Sequence, residues 1–300
     1  MASSDYFLVL SSCSLGYQLY NPVTKAVSLH ERRGKAFYND EKILIGDEVT
    51  LDSQSMIAKV KERTSLLKRP RLANADEILV LVSAKDPDFS SYLLDKFLSL
   101  INFSSLKANI VITKADLLNK RQLTSLKKRL SYYQELKYQV FFLDCHDKTK
   151  FDFPALIAFL KGKKAAFVGQ TGVGKSTLIN LIDPEFNRKV DSLQVSGGRG
   201  RHITKEVILL PYQDGFIYDT PGFSDLKLLE MKPIDLATFF PGFESHYGEC
   251  KFKDCLHLPN TKGCSILENI KEKKLSDDSY ANYVKIYEEV KANDVWKKKL

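Results

Sequence analysis

The sequence predicts a multidomain α/β chain: a small all-β barrel or sandwich in front, a parallel α/β domain in the middle, and a metal-binding helical tail. Three observations carry this. Short alternating apolar runs fill residues 1–68, apolar runs alternate with helical periodicities from Glu77 to Thr220, and three of the five cysteines crowd around a histidine between Cys250 and Cys264.

From Met1 to Lys68 the runs are "FLVL", "AVSLH", "KAFYN", "KILIG", "EVTL" and "MIAKVKE", broken by Gly, Asn and Asp. Such alternation, punctuated by turn residues, is the pattern of a small barrel or sandwich. "KRPRLANAD" interrupts it, and Pro70 marks a linker. Beyond it, "EILVLVS" (Glu77 to Ser83) and "ANIVIT" (Ala108 to Thr113) are continuous apolar runs suited to buried parallel strands. Between them, "SSYLLDKFLSLIN" places Leu93, Leu94, Phe97, Leu98 and Ile101 on one helical face. Helix "LTSLKKRLSYYQEL", strand "YQVFFLD", helix "FPALIAFL", strand "KAAFVG", helix "KSTLINLI" and strand "FIYDT" follow, which implies a parallel sheet covered on both faces. From about Glu230 the chain changes to the Cys/His cluster and then to helical patterns such as "YANYVKIYEEV", where Tyr283, Ile286, Tyr287 and Val290 share a face. Three domains are expected, at 1–68, 69–229 and 230–300.

With 44% hydrophobic residues in 300, the chain can bury real cores. The 45 Lys+Arg against 37 Asp+Glu suit a polyanionic partner such as RNA, and equally a solvated surface. The N-terminus has no basic stretch and only four consecutive apolar residues, Phe7 to Leu10, which excludes an ordinary signal peptide. No window reaches the ~18 apolar residues of a membrane span, so a soluble, cytoplasmic protein with no membrane partner is expected. The odd, clustered cysteines point to metal binding in a reducing compartment rather than to disulfides.

"GQTGVGKS" fulfils G-x-x-x-x-G-K-[ST] between an expected strand and an expected helix. Its glycines let backbone N–H groups turn inward around phosphates, and the helix adds its positive end. Gly169, Gln170, Thr171, Gly172, Val173, Gly174, Lys175, Ser176 and Thr177 are therefore the candidate phosphate ligands. Lys175 reaches the β- and γ-phosphates and Ser176 ligates Mg²⁺. Downstream, "DTPG" offers Asp219 to the Mg²⁺ shell and the Gly222 N–H to the γ-phosphate. The Gly-rich, basic "VSGGRGRHITKE" reads as a switch loop, with Thr204 completing the Mg²⁺ shell.

Guanine is distinguished by a carboxylate that accepts from N1–H and N2–H₂. "TKAD" supplies one, with Thr113, Lys114 and Asp116 at the end of an expected strand, where α/β sites lie. The competing reading makes Asp116 a helix N-cap. In ordinary GTPases this signature follows the phosphate loop; here it precedes it by more than fifty residues. That order is the order of a circularly permuted GTPase.

With "RGKAFYNDEKILIGDEV", "RTSLLKRP", "ANADEILVLVSAKDPDF", "TKADLL", "GQTGVGKSTLIN", "GRGRHIT", "DTPGF" and "CKFKDCLH", the sequence resembles the ribosome small-subunit-dependent GTPases (RsgA, also called YjeQ) over nearly its whole length. The resemblance implies an N-terminal OB-fold that binds RNA. It also implies GTP hydrolysis coupled to late maturation of the small ribosomal subunit and stimulated by that subunit. Partners are then the subunit with its rRNA and GTP or GDP, and a monomer is expected. Three segments depart from the family. Thr113 stands where it usually has Asn, which predicts weaker guanine affinity; Asp144-Cys145 replaces a later "SA" element; and "HTT" reads His202-Ile203-Thr204.

Ras-like enzymes place a Gln after D-x-x-G, whereas Phe223 stands here and cannot orient water. His202 is the nearest candidate catalytic group, alongside Lys175 and Thr204, and the resemblance implies the same role. Its alternative is a loop histidine on rRNA. Slow intrinsic turnover is expected. A P-loop ATPase and a non-catalytic GTP-dependent RNA-binding switch are the competing functions.

Cys250, Cys255, His257 and Cys264 form C-x4-C-x-H-x6-C, a donor set for one structural, tetrahedral Zn²⁺. Buried free thiols are the alternative. His246 lies outside the pattern and is expected on the surface. Flanking lysines 251, 253 and 262, and Arg32, Arg33, Lys35, Phe37 and Tyr38 in the barrel, suit RNA or else a solvated face and core aromatics.

Overall fold

A computed structural model of the chain describes residues 6–32, 42–144, 146–188, 190, 207–220, 228 and 231–297. Arg33, Lys35, Phe37, Tyr38, Cys145, His202, Thr204, Gly222 and Phe223 lie outside the described residues. The chain opens with strands β1 (Phe7–Cys13), β2 (Gly16–Tyr20), β3 (Val27–His30), β4 (Glu48–Leu51), β5 (Ile57–Val60), β6 (Leu66–Lys68) and β7 (Arg71–Ala73). Then come β8 (Glu77–Ser83), α1 (Ser91–Phe103), β9 (Ala108–Thr113), α2 (Lys120–Glu135), β10 (Val140–Phe142) and α3 (Phe153–Leu160). Strand β11 (Lys164–Gly169), α4 (Lys175–Ile182), β12 (Ile208–Tyr212) and β13 (Gly215–Asp219) precede α5 (Pro233–Phe239), α6 (Ser265–Lys271) and α7 (Asp277–Lys297). No helix among the described residues is long and apolar enough to cross a membrane.

The chain divides into two compact units. The first comprises Met1–Ile78, Pro154–Val168 and Lys175–Gly222. Its N-terminal sheet has the order β3-β2-β1-β4-β5, antiparallel throughout. A bridge from Arg32 to Ile57 brings the end of β3 to β5, as an OB-like barrel requires. Val9, Leu10, Leu19, Val49 and Ile57 form its core. "KILIG" makes no strand: Asp47 accepts from the Leu44 N–H (2.7 Å) and from Arg63 Nε (2.8 Å), turning the chain back at Gly46. Pro70 sits in the turn of the β6–β7 hairpin rather than in a linker, with Leu66 paired to Ala73.

In the same unit β13 runs parallel to β11, with Ala166 opposite Tyr218. It runs antiparallel to β12, a departure from the expected parallel sheet. Gln213 and Asp214 alone join those two strands, too few for a crossover.

The second unit comprises Leu79–Phe153, Gly169–Gly174 and Phe223–Leu300. Strands β9 and β10 pair in parallel, with Val111 opposite Phe141. Ser90 caps α1 by accepting from the Leu93 N–H. This helix buries Asp95, Lys96 and Ser99 as well as Leu94, Phe97, Leu98 and Ile101 of its expected apolar face, with Leu93 only half-buried, because a second face meets α7. There the fully buried Asp95 carboxylate accepts from Tyr133 Oη (2.8 Å), Asn282 Nδ2 (2.8 Å) and Ser279 Oγ (3.2 Å). Phe240, Phe243, Tyr283, Ile286 and Cys264 head the apolar core of the tail.

Candidate functional site

Strand β11 delivers the phosphate loop. Gly169 ends it where a Cβ would come within 2.6 Å of the Leu81 carbonyl, so only glycine fits. Gly172 and Gly174 adopt φ of +85° and +91°, the left-handed region that lets successive N–H groups face one side. Val173 between them is buried, while Thr171, Ser176 and Thr177 are exposed. Lys175 begins α4, and its Nζ lies 2.6 Å from Asp219 Oδ1 at the end of β13. The next residue, Thr220, is buried and donates to the Phe167 carbonyl (2.6 Å), which pins the end of β13 to β11.

In the second unit, β9 ends on Thr113, whose buried hydroxyl donates to the Val173 carbonyl (2.5 Å). Lys114 takes a left-handed conformation and extends Nζ to the carbonyls of Gly172 (3.0 Å) and Asp86. The TKAD segment is thereby fastened to the loop backbone at two consecutive residues. Asp116 is exposed in the short turn Ala115–Leu117. It does not cap α2, because Asn119 and Gln122 form a reciprocal capping box there. Asp144 is buried and accepts from the His146 N–H (2.8 Å). Thr204, His202 and Gly222 lie outside the described residues.

The four donors of the Cys/His cluster meet, with all ligand atoms within 4.8 Å of one another. Cys250 Sγ is 4.0 Å from Cys264 Sγ, and His257 Nδ1 lies 3.6 and 3.4 Å from those two sulfurs. A tetrahedral Zn²⁺ with ordinary Zn–S bonds separates sulfurs by about 3.8 Å, so the set fits that ion. Burial lowers His257 to about 4, leaving a neutral imidazole with a lone pair to offer. Ser265, at the start of α6, supports Cys250 through its N–H (3.3 Å) and hydroxyl (3.2 Å). The sequence pattern misses that role, although a polar residue directly after a ligand is where such support arises. His246 stays outside the cluster and is half-buried at the surface. Its side chain is 18% exposed and bonded to Glu249 (2.7 Å).

A sequence model of the RsgA GTPase family matches residues 60–229. The small ribosomal subunit biogenesis GTPase RsgA 2 of Oceanobacillus iheyensis is 36% identical over 264 residues, covering 86% of this chain and 89% of the relative. The RsgA protein of Malacoplasma penetrans is 35% identical over 288 residues, 94% and 98% of the two chains. Among solved structures, YjeQ from Thermotoga maritima superposes with a TM-score of 0.79 at 30% identity, over 95% of this chain and 98% of that one. YloQ, described as a circularly permuted GTPase, gives 0.78 at 28% identity over 95% and 94%.

Proposed function

The chain belongs to the RsgA GTPase family, and on that premise we propose that it hydrolyses GTP in the late maturation of the small ribosomal subunit, with the subunit as activator. The observation that supports this best is the double fastening of TKAD to the loop backbone, through Thr113 to Val173 and Lys114 to Gly172. A base-reading segment held this way senses the same backbone that cradles phosphates.

In this reading the N–H groups of Gly169 to Lys175 and the Lys175 ammonium hold the phosphates, Ser176, Thr204 and Asp219 serve Mg²⁺, and Asp116 accepts from the guanine edge. The exposure of Asp116 and its freedom from capping support that role. His202 orients the attacking water when the subunit is bound. Cys250, Cys255, His257 and Cys264 hold one structural Zn²⁺, and the barrel with the basic tail contacts rRNA. The bound metal at that tail supplies cross-linking and no chemistry.

The test is phosphate release from GTP and from ATP, each with and without purified small subunits. Stimulation confined to GTP is expected. Equal use of ATP, or no response to subunits, would sink the reading.

A further inference from the structure

Strand β13 ends on Asp219 and is fastened one residue earlier to the β6–β7 hairpin where it joins the barrel segment at Ile45, and we propose that Tyr218 is a positioning residue that sets the Asp219 carboxylate. Through it the barrel and the phosphate site are mechanically joined. The proposal rests on the assignment of Asp219 to the Mg²⁺ shell.

Tyr218 is fully buried, and its hydroxyl donates to the Ala73 carbonyl on β7 (2.5 Å). The seam that receives it lies where the β6–β7 hairpin meets Ile45 and Gly46 of the barrel segment. Gly46 stands so close that a Cβ there would come within 2.1 Å of the Tyr218 oxygen and 2.2 Å of the Ala73 oxygen, and its φ of +90° is one that side chains resist. The seam is itself tied together: Ala73 N–H donates to the Ile45 carbonyl (2.9 Å) and Asn74 Nδ2 to the Gly46 carbonyl (2.9 Å). Alternate residues of a strand face one side, and Phe216, two residues before Tyr218, packs its ring edge-on to Tyr20 of the barrel at 5.3 Å. Two successive barrel-facing residues of β13 are thus seated on the barrel, and the next residue is Asp219. Burial keeps the phenol well above the usual tyrosine range, so it remains a hydrogen-bond donor. A ring without the hydroxyl would fill the same space but lose the bond that fixes the strand's position along its axis.

The readout is the gain in affinity that Mg²⁺ gives to a fluorescent GTP analogue, measured against EDTA for the parent, Asp219→Asn, Tyr218→Phe and Gly46→Ala. Asp219→Asn is expected to lose the gain. Tyr218→Phe should lose about fivefold or more of it, since small misplacements at a phosphate site are costly, with affinity in EDTA within about twofold of the parent. Gly46→Ala, whose Cβ presses on both the Tyr218 hydroxyl and the Ala73 carbonyl, should shift the same quantity in the same direction. A full Mg²⁺ gain in Tyr218→Phe and Gly46→Ala beside its loss in Asp219→Asn would overturn the strut. So would an equal fall with and without Mg²⁺, the mark of a merely structural role. A full gain in Asp219→Asn would instead sink the Asp219 assignment, and the strut with it.

Discussion

Lys175 Nζ lies 2.6 Å from Asp219 Oδ1, so the lysine assigned to the phosphates and the carboxylate assigned to Mg²⁺ neutralise each other across one short ion pair. A Mg²⁺–nucleotide has to replace that pair with two better ones, phosphate to lysine and metal-bound water to carboxylate. Charge-assisted bonds of this kind contribute roughly 1.5–3 kcal/mol each. Lys175→Met is therefore expected to weaken GTP binding by about tenfold to a hundredfold, read by titration of a fluorescent analogue. Unchanged affinity would remove Lys175 from the phosphate site.

Asp116→Asn should exchange base preference. An amide presents one acceptor and one donor, which mismatches the two donors of guanine and suits the C2 carbonyl of xanthine. We expect GTP turnover to fall by about tenfold or more and xanthosine triphosphate to become the better substrate. Parallel losses for both nucleotides would speak against base reading.

Zinc content follows from the Cys/His geometry. The parent should carry about one zinc per chain by elemental analysis, and Cys264→Ser should carry none. Loss of the ion should lower the melting temperature by on the order of ten degrees, since structural zinc supplies much of the folding free energy of a small unit. A zinc-free parent with unchanged melting would refute the site.

Asp95 makes stability depend on pH. Burial raises its carboxyl to about 7, outweighing the hydrogen bonds from Asn282, Tyr133 and Ser279 that lower it. An unfolded aspartate titrates near 4, so between about pH 4 and 7 the folded state alone holds the proton. The contribution is fully present below pH 4 and is lost as pH rises through 7, a change on the order of 4 kcal/mol. Other carboxylates act in the opposite direction, so the quantity to measure is the difference between the parent and Asp95→Asn in urea midpoint from pH 4.5 to 7.5. The parent should lose stability relative to the variant; parallel curves would show that Asp95 does not titrate there.

Much of this was legible in the residues themselves. The phosphate loop, the TKAD segment and the Cys/His spacing are local patterns whose chemistry depends on short separations, and the relatives and solved structures bear out the permuted GTPase fold. Tertiary pairing was less legible. β2, "GYQLY", has no apolar run and exists because β1 and β3 flank it. "KILIG" has such a run but gives its backbone to the Asp47 turn instead. The burial of Asp95 within α1 could not be read from a period of 3.6, since it depends on donors at Ser279 and Asn282 more than 180 residues away. Thr113 shows the same limit. As a departure from Asn it predicts weaker support, yet its shorter side chain still reaches the Val173 carbonyl.

Because Asn119 and Gln122 close the start of α2 between themselves, Asp116 has no part in holding that helix. Specificity and foldedness are therefore separable at this position. A chain re-addressed to a different base should assemble as well as its parent. Such a variant gives a chemical handle by which one copy of the protein can be switched on or off in a cell while GTP continues to serve every other enzyme.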